Sequence, residues 1–209
     1  MILVFGDSIT YGAWDKEGGW VQRLRKFLEE KYPKEFFVYN LGIPINETTE
    51  NILSRIEVEL KARTTPGFES ENIVIFAIGI NDSQFVHSEG RHKVPIDKFK
   101  DNIQKLIKIA QKFSSKIIFV GLTPVDERKT TPIPWNTDKS YKNEDIKKYN
   151  EIIKMVCNKH GIPFIDLFED WINDCKNYLD DGLHPNSEGH KRIFETVKNF
   201  LVENEYLEV

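Results

Sequence analysis

The chain has 209 residues, enough for one domain with a single sizeable core. Apolar residues make up 40% and charged residues 30%, a balance that excludes bulk disorder. The net charge is −4 with both signs interspersed, which excludes the basic face a nucleic-acid binder needs.

Taken in chain order, the sequence alternates short apolar runs with longer amphipathic ones. Met1 leads directly into Ile2–Phe5, a run too short for a signal-peptide core and without a basic leader or small-residue cleavage site. It reads as a first strand of a cytoplasmic chain. A stripe of Trp20, Leu24, Phe27 and Leu28 recurs at helical steps, and Phe36–Leu41 forms a second apolar run. Ile52, Leu53, Ile56 and Leu60 mark the next helix, followed by the run Ile73–Ile78. A third helical stripe, Phe99, Ile103, Leu106, Ile107 and Ala110, precedes the run Ile117–Leu122. Ile146, Tyr149, Ile153 and Val156 then lead to Phe164–Leu167, and Ile193, Phe194, Val197, Phe200 and Leu201 close the chain. The apolar runs are rich in Val, Ile and Phe and lack polar alternation, as strands buried on both faces of a parallel sheet require. Five such strands alternating with helices predict right-handed βαβ crossovers and an α/β fold, a three-layer αβα sandwich around a five-stranded parallel sheet. In such sheets ligands bind beyond the carboxyl ends of the strands. Two long segments, from about Ser83 to Pro95 and from Pro124 to about Asn143, read as loops that wall a binding site. No run approaches the ~20 apolar residues that span a bilayer, so no membrane insertion is expected.

The segments that follow the strands carry chemistry. The first strand ends in Gly6-Asp7-Ser8, where a glycine lets the chain turn sharply and lifts a serine off the sheet. Alone, that triplet also spells an ordinary turn. The second strand ends in Asn40-Leu41-Gly42 and the third in Gly79-Ile80-Asn81-Asp82. Asp181-Gly182-Leu183-His184-Pro185 comes just before the last helix. A serine hydroxyl needs an adjacent base to act as a nucleophile, and an imidazole oriented by a carboxylate is suited to that role. Asp180 competes with Asp181 as the carboxylate, and the three-residue spacing to His184 favours Asp181. Asp7 and Asp82 read as holding their loops through side-chain to backbone hydrogen bonds.

Four such blocks, in this order and from Gly6 to Pro185, resemble the SGNH (GDSL-type) hydrolase family. The resemblance implies a flavodoxin-like single domain over residues 1–209. It implies Ser8 as nucleophile, His184 as general base and Asp181 as its partner. It implies an oxyanion hole made of the Ser8 and Gly42 backbone N–H groups and the Asn81 side-chain amide. It also implies a small-molecule ester substrate, with short acyl esters such as O-acetyl groups of a carbohydrate or metabolite favoured over thioesters and lysophospholipids. The alternative from another class is a non-catalytic carbohydrate or small-molecule binder. The sequence departs from the family at Ile43-Pro44-Ile45-Asn46-Glu47-Thr48-Thr49, one residue longer and without the second glycine many relatives carry. That departure predicts a reshaped acyl pocket walled by Ile43 or Ile45. Phe85 and Trp135, on the two long loops, are the candidates for stacking on an alcohol group. Neither metal nor other cofactor is expected: the five histidines and the cysteines Cys157 and Cys175 fit no metal or redox spacing. The sequence leaves the oligomeric state open, a homo-oligomer included.

Overall fold

The computed structural model describes residues 1–207. In chain order, β1 (Ile2–Gly6) leads into α1 (Ser8–Tyr11), α2 (Gly19–Lys31) and β2 (Val38–Gly42). Next come α3 (Thr49–Arg63), β3 (Ile73–Ala77), two short strands β4 (Phe85–Val86) and β5 (Arg91–His92), α4 (Ile96–Ala110) and β6 (Lys116–Val120). The chain closes through α5 (Glu127–Thr130), β7 (Lys139–Ser140), α6 (Asn143–His160), β8 (Phe164–Ile165), α7 (Phe168–Trp171) and α8 (Ser187–Glu203).

Strands β2-β1-β3-β6-β8 form a five-stranded sheet in that order, every pair parallel. Because successive side chains point to opposite faces, each strand feeds two cores. Leu3, Phe5, Val74, Phe76, Ile117 and Phe119 pack under α3, α4 and α6. Ile2, Val4, Ile73, Ile75, Ile118 and Val120 pack under α2 and α8. The continuous apolar runs of the sequence are therefore the signature of burial on both faces. The helical stripes lie on the buried sides, with Leu24, Ile52, Ile56, Ile103, Ile153 and Val197 all fully enclosed. Cys157 and Cys175 are both buried and free.

Two expectations need amendment. The fifth strand is only Phe164–Ile165, because Asp166 turns the chain by accepting a hydrogen bond from Phe168 N–H at 3.1 Å. The two long loops are not unstructured. β4 pairs antiparallel with both β5 and β7, so the loops knit together as a small second sheet, ordered β5-β4-β7. Strands of two residues carry too little periodicity to be read from sequence.

In the large sheet the chain crosses from β2 through β1 to β3, so the crossovers leave in opposite directions from β1 and β3. That is the switch point where a crevice opens at the carboxyl edge. Ser8 follows β1 and Asn81 follows β3, so both stand at its mouth.

Candidate active site

Asp7 follows β1 and caps α1, accepting a hydrogen bond from Ile9 N–H at 2.9 Å. The cap starts the helix at Ser8, whose side chain points toward the loop before α8. Ser8 Oγ lies 3.0 Å from His184 Nε2. His184 Nδ1 lies 2.6 Å from Asp181 Oδ2, and Asp181 Oδ1 accepts the N–H groups of His184 at 2.7 Å and Leu183 at 2.8 Å. One carboxylate thus fixes both the turn and the ring, favouring the tautomer that carries its proton on Nδ1 and leaves Nε2 as an acceptor. Burial pushes the Asp181 carboxyl up, but the His184 imidazole and the two N–H groups outweigh it and hold the carboxyl below its usual range.

The same loop is anchored from below. Asn186 caps α8 by accepting from Gly189 N–H at 3.0 Å. Arg23 on α2 donates to Ser187 Oγ at 2.8 Å and pairs with the buried Asp15 carboxylate. Asp180 faces away from the imidazole: its Oδ1 accepts from Asn186 Nδ2 at 3.0 Å and its carbonyl accepts from Lys129 Nζ at 2.8 Å. The ring of Trp14, 83% exposed, meets the His184 ring edge-on at 6.2 Å.

Ser8, Asp181 and His184 line a cleft of about 540 Å³ together with Asn81, Ile45 and Trp135. Asn81 is held at both ends of its amide, accepting from Tyr141 Oη–H at 2.7 Å and donating to the Glu47 carbonyl at 2.9 Å. Burial pushes the Tyr141 phenol far up, so it stays a donor. A primary amide has two N–H bonds, and one of Asn81's remains for a ligand.

Gly42 does not join this group. It lies outside the cleft lining, its N–H donates to Asn40 Oδ1 at 2.9 Å, and a Cβ there would stand 2.4 Å from Tyr11 N. This glycine is required where β2 packs against α1, and its N–H is already satisfied. Ile43 also lies outside the cleft lining, its N–H bonded to the Gly6 carbonyl at 3.1 Å. Phe85 is held edge-on between His87 and His92, at 5.3 and 5.5 Å, within the small sheet. Sequence reasoning gave no role to Trp14, Asn46, Gln84, Lys139 or Tyr141, all of which line the cleft. Asn46 was the one with a readable signal, since it occupies the segment where a second glycine is missing.

Two carboxyls lie buried beneath the cleft. Asp82 ties this floor to α3, accepting from Thr49 N–H at 3.1 Å and from Thr49 Oγ1–H. Burial, with a smaller contribution from the Asp7 carboxylate and against the pull of those bonds, raises its pKa to about 7. Burial likewise raises Asp7 to about 6. An unfolded aspartate titrates near 3.9, so between about pH 4 and pH 7 the folded chain binds more protons than the unfolded one. The contribution of these groups is full below that window and is lost as pH rises through it. His190, buried and lowered to about 4, works in the opposite sense within the same window. Subtracting the melting curve of Asp82→Asn from that of the wild type cancels His190. The difference in Tm, wild type minus variant, is expected to fall by several degrees from about pH 4 to about pH 8. A constant difference in scanning calorimetry would show that Asp82 titrates normally.

The profile of the GDSL-like lipase/acylhydrolase family matches residues 4–192. The chain belongs to that family. A GDSL esterase/lipase of Oryza sativa subsp. japonica is 30% identical over 99% of this chain and 79% of its own length. An isoamyl acetate-hydrolyzing esterase of Saccharomyces cerevisiae is 27% identical over 90% of this chain and 80% of its own. Among solved structures, an acetylxylan esterase from Geobacillus stearothermophilus superposes with a TM-score of 0.71 at 20% identity, covering 97% of this chain and 92% of that one. This GDSL-family chain is a carboxylic ester hydrolase, and small-molecule esters are its substrate class. Among its described residues no helix is long and apolar enough to cross a membrane. Among the same residues, no group of three or more His, Cys, Asp or Glu side chains is arranged to hold a metal ion.

Proposed function

We propose that this hydrolase cleaves short acyl esters, acetyl esters of hydroxylated alcohols above all, through an acyl-enzyme intermediate on Ser8. The observation that carries this reading is the relay of Ser8 Oγ, His184 and Asp181, with contacts of 3.0 and 2.6 Å at the mouth of the cleft. Ser8 Oγ attacks the ester carbonyl as its proton passes to His184 Nε2. Asp181 stabilises the imidazolium without taking its proton. The carbonyl oxygen, now negative, is bound by the free N–H of Asn81 and by Ser8 N–H, which as the first residue of α1 has no intrahelical acceptor. Collapse breaks the carbon–oxygen bond, and His184 returns the proton to the departing alcohol. Water then repeats the cycle on the acyl-serine and releases the acid.

The short-acyl reading draws on both chemistry and kinship. The cleft lining mixes apolar Ile45, Ile133 and Leu183 with polar Gln84, Asn136 and Lys139, a surface poorly suited to a long hydrocarbon chain. The yeast relative and the Geobacillus structure are named for different alcohols and the same acetyl group. On the alcohol side, Trp14 and Trp135 are 83% and 56% exposed and offer aromatic faces to a sugar or similar ring. Beyond Trp14 a second cavity, about 750 Å³ and bordered by Glu17, Asp180 and Glu188, gives the alcohol room to extend.

Hydrolysis of p-nitrophenyl acetate, butyrate, octanoate and palmitate tests the acyl preference. Turnover is expected to peak at acetate or butyrate and to fall at least tenfold by octanoate, about 1.4 kcal/mol in kcat/KM. A maximum at octanoate or longer would replace this reading with that of a long-chain lipase or lysophospholipase.

A further inference from the structure

We propose that Lys139 is a specificity-determining residue that selects an ester whose alcohol carries a carboxylate, the acetyl ester of a hydroxy acid or an acidic sugar. The inference rests on the short-acyl reading above and adds to it the charge of the alcohol. An acetyl group ends one carbon beyond its carbonyl, so a charge recognised away from the reacting carbon belongs to the alcohol.

Lys139 opens β7, where successive side chains turn to opposite faces. Ser140 turns one way and places its Oγ 2.8 Å from His87 Nε2. Lys139 and Tyr141 turn the other way, into the cleft, where the Tyr141 hydroxyl reaches Asn81. Apart from that phenol, the ionisable side chains of the cleft lining are Asp181, His184 and Lys139. The first two are paired with each other at 2.6 Å. Asp138, next to Lys139 in sequence, is engaged by Ser88, whose N–H and Oγ–H each donate to its carboxylate at 2.7 Å. Among the described residues no carboxylate pairs with the half-buried Lys139. A cation so placed, without a counter-charge of its own, favours an anionic ligand.

The surroundings fit a hydroxylated acid. Gln84 is 3% exposed and lines the same cleft, yet its Oε1 has no hydrogen-bond partner among the described residues. A buried acceptor left unpaired is costly, and a ligand hydroxyl can donate to it. Asn136 spends its Oδ1 on the Asp138 N–H at 3.2 Å, which leaves the Nδ2 donors for a ligand. Lys93 adds a second positive charge behind the first. Its Nζ donates to Asn46 Oδ1 at 3.1 Å, and burial first, then the charge of Lys139, hold its ammonium below the ordinary range. Two ammonium groups that repel one another are relieved by a bound anion. The opposite end of the site has the opposite sign. The cavity beyond Trp14 is bordered by Glu17, Asp180 and Glu188 against one lysine, Lys16. An acidic alcohol is therefore oriented with its carboxylate toward β7 and its uncharged part toward Trp14.

The test measures kcat/KM for 4-acetoxybenzoate against its neutral isostere 4-acetoxybenzamide, in wild type, Lys139→Met, Lys139→Glu and Ser8→Ala. Wild type is expected to prefer the carboxylate by about tenfold, mostly through KM, and to lose most of that preference between about 20 mM and about 500 mM salt. Lys139→Met is expected to bring the ratio within about twofold of unity, and Lys139→Glu to reverse it. Each ratio is taken within one protein, so damage to folding cancels. A second pair, p-nitrophenyl hydrogen succinate and p-nitrophenyl succinamate, moves the charge to the acyl group, with spontaneous hydrolysis subtracted. A preference confined to that second pair, a wild-type ratio near unity on the first, or a preference that survives Lys139→Met would each overturn the proposal. Ser8→Ala and the acyl-length series keep the levels apart. Turnover surviving in Ser8→Ala would remove the serine mechanism, and a maximum at long acyl chains would remove the short-acyl reading. An acetyl esterase dependent on Ser8 but indifferent to the carboxylate would remove only the role of Lys139.

Discussion

Ser8→Ala is expected to lower kcat/KM on acetyl esters by about 10,000-fold or more while leaving Tm within a few degrees of wild type. The contrast follows from what Ser8 Oγ touches. Its hydrogen-bond partner is His184 Nε2, at a cleft surface where removing one oxygen opens no sealed cavity. His184→Ala is expected to cost a similar factor, and the double variant little more than either single one, because in the proposed mechanism the two side chains act on one proton. Asp181→Asn tests the third member differently. Its Oδ1 can still accept the N–H groups of Leu183 and His184, so the turn survives. The amide can present an N–H to Nδ1, which favours the opposite ring tautomer and places the proton on the nitrogen facing Ser8. A loss of about 10,000-fold with the fold intact is the outcome expected of that reversal. Losses that multiply across the series would show three independent contributions and contradict a single relay. So would ester turnover in Ser8→Ala comparable to wild type.

The parts of this molecule legible in the sequence are those fixed by short-range physics. Buried parallel strands announce themselves as unbroken Val, Ile and Phe runs, and amphipathic helices by their stripes. Asp181 and His184 lie within one turn, so their pairing needed no knowledge of the fold. Asp7 and Asp82 were expected to brace loops, and each does so through a backbone N–H, Asp7 to Ile9 and Asp82 to Thr49. What escaped depends on contacts between distant segments. Phe85 has an aromatic ring on a long loop, but β4 turns it in between two histidines. Tyr141 sits on the other long loop, and only the tertiary fold brings its hydroxyl to Asn81. Gly42 shows a subtler failure. A glycine after a strand supports either close approach of a ligand or close packing of the chain, and the residue type is the same. Here α1 occupies the space, which a sequence does not reveal.

Gly6 shows the same ambiguity resolved with larger consequences, and Gly6→Ala is expected to be the most destabilising single methyl in the chain's first turn. The requirement is for space rather than for a left-handed backbone, since Gly6 ends an extended strand between Gly42 and Ala77. A Cβ there would stand 2.0 Å from Thr10 Oγ1 and 2.4 Å from the Ala77 carbonyl oxygen. The first clash could be relieved by turning Thr10, at the cost of its 3.3 Å hydrogen bond to that same carbonyl. The second is with the backbone of β3, so relief requires strands β1 and β3 to part or α1 to lift. Overpacking of this kind costs about 3 kcal/mol or more, equivalent to roughly 6–12 °C in Tm for a chain of this size. Adding Thr10→Ala is expected to restore only part of that loss, because the carbonyl clash remains. Full recovery in the double variant would mean that β3 yields easily and that the side chain alone sets the limit. Whatever fraction of Gly6→Ala folds is expected to be a poor catalyst as well. Asp7 and Ser8 follow directly, and lifting α1 by even half an ångström stretches the contact between Ser8 and His184 on which the proposed proton transfer depends.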